Sequence, residues 1–201
     1  MSSKRNIFLF PNKVITTIFL VASVYFAQQA NASLISEPQE GQPILLIRHA
    51  DAPGYGDPAG YNLAQCSTQR NLGDYGKKQA RAIGDWLSKQ GIKNAQVFSS
   101  PWCRCLDTAQ LLNQGPVKVD SALGSFFDDM SLEKRQTKEL ESLIKRELDK
   151  NHRAPIIMVT HHVNIEAFTG KAVAVGDIVL VRVNKNGQYR SHILYPSPKP
   201  S

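Results

Sequence analysis

The sequence predicts an α/β domain of three layers, a mostly parallel central sheet flanked by helices. Three observations carry this expectation. Short apolar runs at 44–47, 97–98 and 155–160 lack polar alternation, as strands covered on both faces do. Stretches with helical periodicity separate them, and the chain shows no internal repeat.

The first 32 residues read as an address. "MSSKRNIFLFPNK" holds three basic residues and no acidic one, the apolar run "VITTIFLVASVYFA" follows, and Ala30, Asn31 and Ala32 form a small-x-small cleavage pattern. The run is shorter than the roughly 20 residues of a membrane span. A signal peptide over 1–32 is expected, with a mature domain over 33–201 that is periplasmic or secreted and has no stable membrane insertion after cleavage. Losing Lys4, Arg5 and Lys13 lowers the net charge from +7 to +4 and leaves 169 residues, the size of one domain.

The strand at 44–47 runs into "RHADAP". A long Gly-, Pro- and Asn-rich loop follows, "DAPGYGDPAGYNLAQCSTQRNLG", whose Tyr55 and Tyr61 are expected to overhang a site at the strand end. Ala80, Ile83 and Leu87 share one face of a helix over 74–90, with Asp74 at its positive end and Gly91 as its stop. A second strand, "AQVFSS", leads to Pro101, placed in the first turn of a helix carrying Arg104, Thr108 and Leu111. Leu140, Leu143, Ile144 and Leu148 mark an amphipathic helix over 131–151. The third strand, "PIIMVTHH", is followed by a hairpin turning at Asn186 and Gly187, and "PSPKPS" reads as a frayed tail.

Several function classes are excluded by composition. Basic residues form no long block and do not interleave with aromatics, so nucleic acid is not an expected partner. "KKQAR" and "EKRQTKE" are solvated helix faces. No tight carboxylate cluster offers a Mg²⁺ site, and no cofactor is expected. In an oxidising compartment Cys66 is expected to pair with Cys103 or Cys105; a C-x-C metal or redox site is the rival, without a fourth ligand cluster to support it.

In parallel sheets ligands gather beyond the carboxyl ends of the strands. Three runs here end in related side chains: Arg48 with His49, Ser99 and Ser100 leading to Arg104, and His161 with His162. Any one alone is ordinary, since a buried Arg pairs with a carboxylate, a strand His is a core group and strand ends surface. Together they predict a pocket for phosphate, which matches the planar fork of arginine and the N–H groups of a helix start. The expected partner is a small phosphorylated substrate.

"RHA", "QRNLGDYGKKQA", "SSPWCRCLDTA" and "VTHH" resemble, in this order, the four motifs of the histidine phosphatase superfamily, with its phosphoglycerate-mutase-like fold. The resemblance implies a metal-independent phosphomonoester hydrolase that passes through a phosphohistidine. His49 matches the nucleophile, Arg48 and Arg104 the phosphate-binding arginines, and His161 the second histidine. Arg70, Asn71 and His162 are the implied substrate-binding groups. The resemblance also shows a departure: many members have a Glu where this chain has Ser125, and another branch has an Asp where this chain has His162. The general acid is therefore open among Asp128, Asp51 and a protonated His162. Asp128 is favoured, although Asp128 or Asp129 also suits a cap for the helix near Ser131.

Without large cap insertions, the chain resembles the compact members that act on phosphosugars, including those similar to lipopolysaccharide core heptose phosphatases, so a small phosphorylated metabolite or an envelope phosphosugar is the substrate the resemblance implies. A mutase is disfavoured, because it would have to retain and re-donate the phosphate. The rival from another class is a non-catalytic phosphate-binding protein on the same fold; a third is thiol redox chemistry through "CRC".

Overall fold

Strand β1 (Ile44–Arg48) explains why the domain has three layers. Its side chains alternate between two cores, Leu45 and Ile47 in one and Ile44 and Leu46 in the other, so it must be covered on both faces. The computed structural model describes residues 42–150 and 153–200; the expected signal peptide and its cleavage site lie outside the described residues.

The sheet has the order β3-β2-β4-β1-β5-β6, with β2 at Gln96–Ser99, β3 at Val117–Val119, β4 at Ile156–Thr160, β5 at Ile178–Val183 and β6 at Tyr189–Tyr195. The pairs β3/β2, β2/β4 and β4/β1 are parallel, while β5 is antiparallel to both β1 and β6. Only β5 runs against the others, so the expectation of a mostly parallel sheet meets a mixed one at this edge. Register sets where the strands end. Arg48 lies beside Thr160, and Ser99 beside Val159, so three chain segments leave the sheet at the same level.

Helices α1 (Asp74–Lys89) and α2 (Cys103–Leu111) cover one face through Ile83, Leu87 and Ala109. The other face is covered by α3 (Glu133–Asp149) and α4 (His162–Thr169) through Leu140, Leu143, Ile144, Ile165 and Phe168. None of the described helices is long and apolar enough to cross a membrane.

Boundaries differ from the expectations in physically readable ways. Gly91, at φ +84°, stops α1 and lets the Ile92 N–H reach the Leu87 carbonyl at 3.0 Å. Pro101 stays outside α2, because Trp102 keeps an extended backbone and acts as the cap residue. A 3-10 turn, Met130–Leu132, precedes α3. The expected frayed tail is tied at its start: Ser197 N–H donates to Asp177 at 3.1 Å and its hydroxyl accepts from Gln79 Nε2 at 2.9 Å.

The approach of α1 to the segment after β1 is very close. A Cβ at Gly76 would lie 1.9 Å from the Asp51 carbonyl oxygen. Gly76→Ala is expected to lower stability by about 1–3 kcal/mol, as overpacking does, measured as a fall in the urea midpoint at unchanged m-value.

Candidate active site

Where the three segments leave the sheet, a cavity of about 350 Å³ opens, with Arg48, His49, Arg70, Arg104, His161 and His162 on its wall. His49 is 2 % exposed. Its Nδ1 lies 2.8 Å from the Ala50 carbonyl oxygen. A carbonyl only accepts, so Nδ1 carries the proton and Nε2 keeps its lone pair. The mount is rigid on every side: His49 N–H donates to the Thr160 carbonyl at 3.0 Å, Ala50 N–H to Thr108 Oγ1 at 3.0 Å, and the Thr108 hydroxyl to the Arg104 carbonyl at 2.7 Å. Burial, reinforced by the charges of Arg104, Arg48 and Arg70, pushes the His49 pKa down to about 3.

The guanidinium groups are held from behind. Arg104 Nη1 contacts both carboxylate oxygens of Asp57, at 2.9 and 3.0 Å, and Arg48 Nη1 donates to the Val173 carbonyl at 2.8 Å. The buried Nε atoms of both arginines have no hydrogen-bond partner among the described residues. A buried donor left unpaired is costly, and an oxyanion in the cavity would satisfy both. Arg70 works partly as a loop brace, donating from Nε to the Gly56 carbonyl at 2.9 Å and from Nη1 to that of Ala52. Burial lowers the pKa of Arg48 and of Arg70.

His161 turns Nε2 to Ser100 Oγ at 2.8 Å, and burial keeps its pKa well below the usual range. His162 opens α4 with its ring 5.6 Å from that of Phe127, and burial lowers its pKa as well. Asn71 departs from expectation. It is not on the cavity wall, because its amide donates to the carbonyls of Cys66 and Gln69 at 2.6 and 3.0 Å and folds the loop instead.

Asp51, Ser125 and Asp128 complete the wall. Asp128 accepts a hydrogen bond from the Tyr61 hydroxyl at 3.3 Å, whereas Asp129 caps the 3-10 turn by accepting from Ser131 N–H at 3.0 Å. Asp129 therefore takes the capping role, while Asp128 stays on the cavity wall. Among the described residues no group of three or more His, Cys, Asp and Glu side chains is placed to hold a metal ion.

The loop over the site is fastened twice. Cys66 pairs with Cys103, leaving Cys105 buried and free with its pKa pushed up to about 12 by desolvation. The "CRC" cysteines therefore form no dithiol. Asp57 is the second fastening. It accepts from Arg70 N–H at 2.9 Å and Trp102 Nε1 at 3.2 Å besides Arg104. Asp57 was not expected at the site from sequence, since an Asp between Gly and Pro reads as a turn residue; Ser100 was expected at the strand end, without a partner named for it.

Residues 44–126 match the family model of the histidine phosphatase superfamily, branch 1. Over this segment the chain resembles that superfamily. Solved structures with the superfamily's fold agree in architecture. The protein histidine phosphatase SixA complexed with tungstate is 17% identical, with a TM-score of 0.54 over 79% of this chain and 97% of that one. A phosphoserine phosphatase from Entamoeba histolytica, in complex with 3-phosphoglyceric acid, is 14% identical at TM-score 0.54, covering 80% and 97%. A mycobacterial glucosyl-3-phosphoglycerate phosphatase complexed with VO3 is 15% identical at TM-score 0.50, covering 79% and 100%. No curated protein matches the sequence. Ser125 lies on the cavity wall, at the place where the motif resemblance led to a Glu.

The buried imidazole has a consequence for stability. Unfolding raises the pKa of His49 from about 3 to the ordinary 6.5, so between these values the unfolded chain binds a proton that the folded one refuses. The stability from this group is complete above pH 6.5 and is lost as pH falls toward 3. Chemical denaturation across that range is expected to show a shallower acid decline for His49→Asn than for the parent.

Proposed function

We propose that this protein is a phosphomonoester hydrolase that needs no metal and passes through a phosphohistidine at His49. The observation that carries this reading is the buried, neutral His49 ring, with Nδ1–H fixed on the Ala50 carbonyl beside the unpaired Nε donors of Arg48 and Arg104. The tungstate, VO3 and 3-phosphoglyceric acid in structures of the same fold support an oxyanion in this cavity.

The chemistry follows from the placement. Nε2 attacks phosphorus, and the P–O bond to the leaving group breaks as Arg48, Arg104 and His161 hold the equatorial oxygens. The leaving oxygen needs a proton. Asp128 is the proposed donor: His162 is kept neutral by burial, and the charge of Asp51 is engaged with Arg48 and Arg70. Water then attacks the phosphohistidine, giving its proton to Asp128 and releasing phosphate. Arg70 and His162 contact the phosphate or its substituent.

A small phosphorylated metabolite or an envelope phosphosugar is the proposed substrate. Tyr55, 88 % exposed, stands edge-to-face on Phe127 at 5.3 Å, and both line the cavity as a wall for the leaving group. Export, with cleavage after Ala32 and residues 33–201 as the mature domain, belongs to the same proposal; the leader composition and the Cys66–Cys103 disulfide support it. The rival reading, a phosphate-binding protein without turnover, is favoured by one observation, Ser125 in place of the usual Glu.

Hydrolysis of an aryl phosphate in the presence of EDTA separates the two. Turnover by the parent that falls to the uncatalysed rate in His49→Ala is expected, and a silent parent that still binds phosphate would establish the binder. Asp128→Asn is expected to slow turnover by about 10²–10⁴-fold and to erase the alkaline limb of the pH–rate profile. A profile indistinguishable from the parent's would remove Asp128 as the acid.

A further inference from the structure

The second histidine of the cavity is held by a hydroxyl group to which no role has been given. Ser100 leaves β2 fully buried, and its Oγ lies 2.8 Å from His161 Nε2. The same oxygen accepts the Trp102 N–H at 3.4 Å, so one of its lone pairs is already engaged. Cys105 Sγ stands 3.5 Å from Nε2, and its own S–H points to the Thr160 carbonyl at 3.6 Å. Nε2 is thus turned inward, into a nest of Ser100 and Cys105. Nδ1 is the ring nitrogen left for the phosphate.

We infer that Ser100 is a positioning residue: its O–H donates to His161 Nε2, fixing the tautomer in which Nδ1–H faces the cavity as a donor to a phosphoryl oxygen. This rests on the phosphatase reading for its catalytic consequence, though not for the tautomer itself. The competing network has Nε2–H donating to Ser100 and Ser100 donating to the Cys105 sulfur. It exchanges an O–H···N bond for a weaker one to sulfur and turns an imidazole lone pair toward anionic oxygens. The two histidines of the site would then carry the same tautomer for opposite ends. In His49, Nδ1–H is spent on the Ala50 carbonyl to free a nucleophilic Nε2; in His161, Nε2 is spent on Ser100 to free a donor.

The ring nitrogens report this directly. In the full chain with ¹⁵N-labelled histidine, and with inorganic phosphate or vanadate added, long-range ¹H–¹⁵N spectra distinguish protonated from unprotonated nitrogens. His161 can be assigned by elimination with His49→Asn, His152→Asn, His162→Asn and His192→Asn, one at a time. A protonated Nδ1 and a bare Nε2 are expected, and Ser100→Ala should introduce the second tautomer. In turnover, Ser100→Ala should lower kcat about tenfold, the equivalent of one hydrogen bond, with KM little changed, and Ser100→Thr should restore it. A parent spectrum with the proton on Nε2 overturns the inference, as does a Ser100→Ala protein whose tautomer and kcat match the parent's. A protein that shows the expected tautomer yet turns over no phosphate ester would count against the phosphatase reading alone.

Discussion

His49 has to stay uncharged, with its lone pair outward, while three guanidinium groups stand around it. Desolvation and cationic neighbours act in the same direction on a base, so the arginine cluster that would attract an anion also keeps His49 unprotonated. This only works if the ring cannot turn. The Ala50 carbonyl fixes it, Thr108 fixes Ala50, and the sheet fixes both through the Thr160 carbonyl. The burial of β1 on two faces is the foundation of that chain of contacts, because a strand free to shift by a fraction of an ångström would release the imidazole first.

The loop between β1 and α1 solves a second charge problem. Three arginines in one small cavity repel one another, and the Asp57 carboxylate offsets the charge of Arg104. A buried ion pair of this kind adds little net stability, but it sets direction. With Nη1 held by a carboxylate, the buried Nε of Arg104 is left without a partner among the described residues. The aromatic pair Tyr55 and Phe127 lines the same cavity as Asp57 and Arg104.

Much of this was legible in the sequence because parallel strands advertise themselves. Uninterrupted apolar runs ending in Arg48-His49, Ser99-Ser100 and His161-His162 named both the layers and the site they serve. What was not legible had no periodic signal. The eight residues of α4 are buried almost all round, and β3 is a three-residue edge with only Val117 partly covered. The reach of Asn71 back to Cys66 and the insertion of Asp57 between two arginines depend on how a long loop closes, which local spacing does not encode. Gln79 is a further case: a polar residue on a helix face reads as solvated, yet it is buried and joins Asp51, Val175 and Ser197.

The spacing of Cys103 and Cys105 bears on how the chain reaches this state. Two positions along a helix turn a side chain by about 200°, so Cys103 meets the loop while Cys105 is sealed against Thr160 and Ser100. Docking of α2 onto the sheet therefore hides Cys105 from Cys66. If oxidation came first, both sulfurs would be open to Cys66, and closure on Cys105 would draw the loop toward the core space reserved for the sheet-facing side of α2. Where packing precedes oxidation, the fold itself selects which cysteine Cys66 can reach.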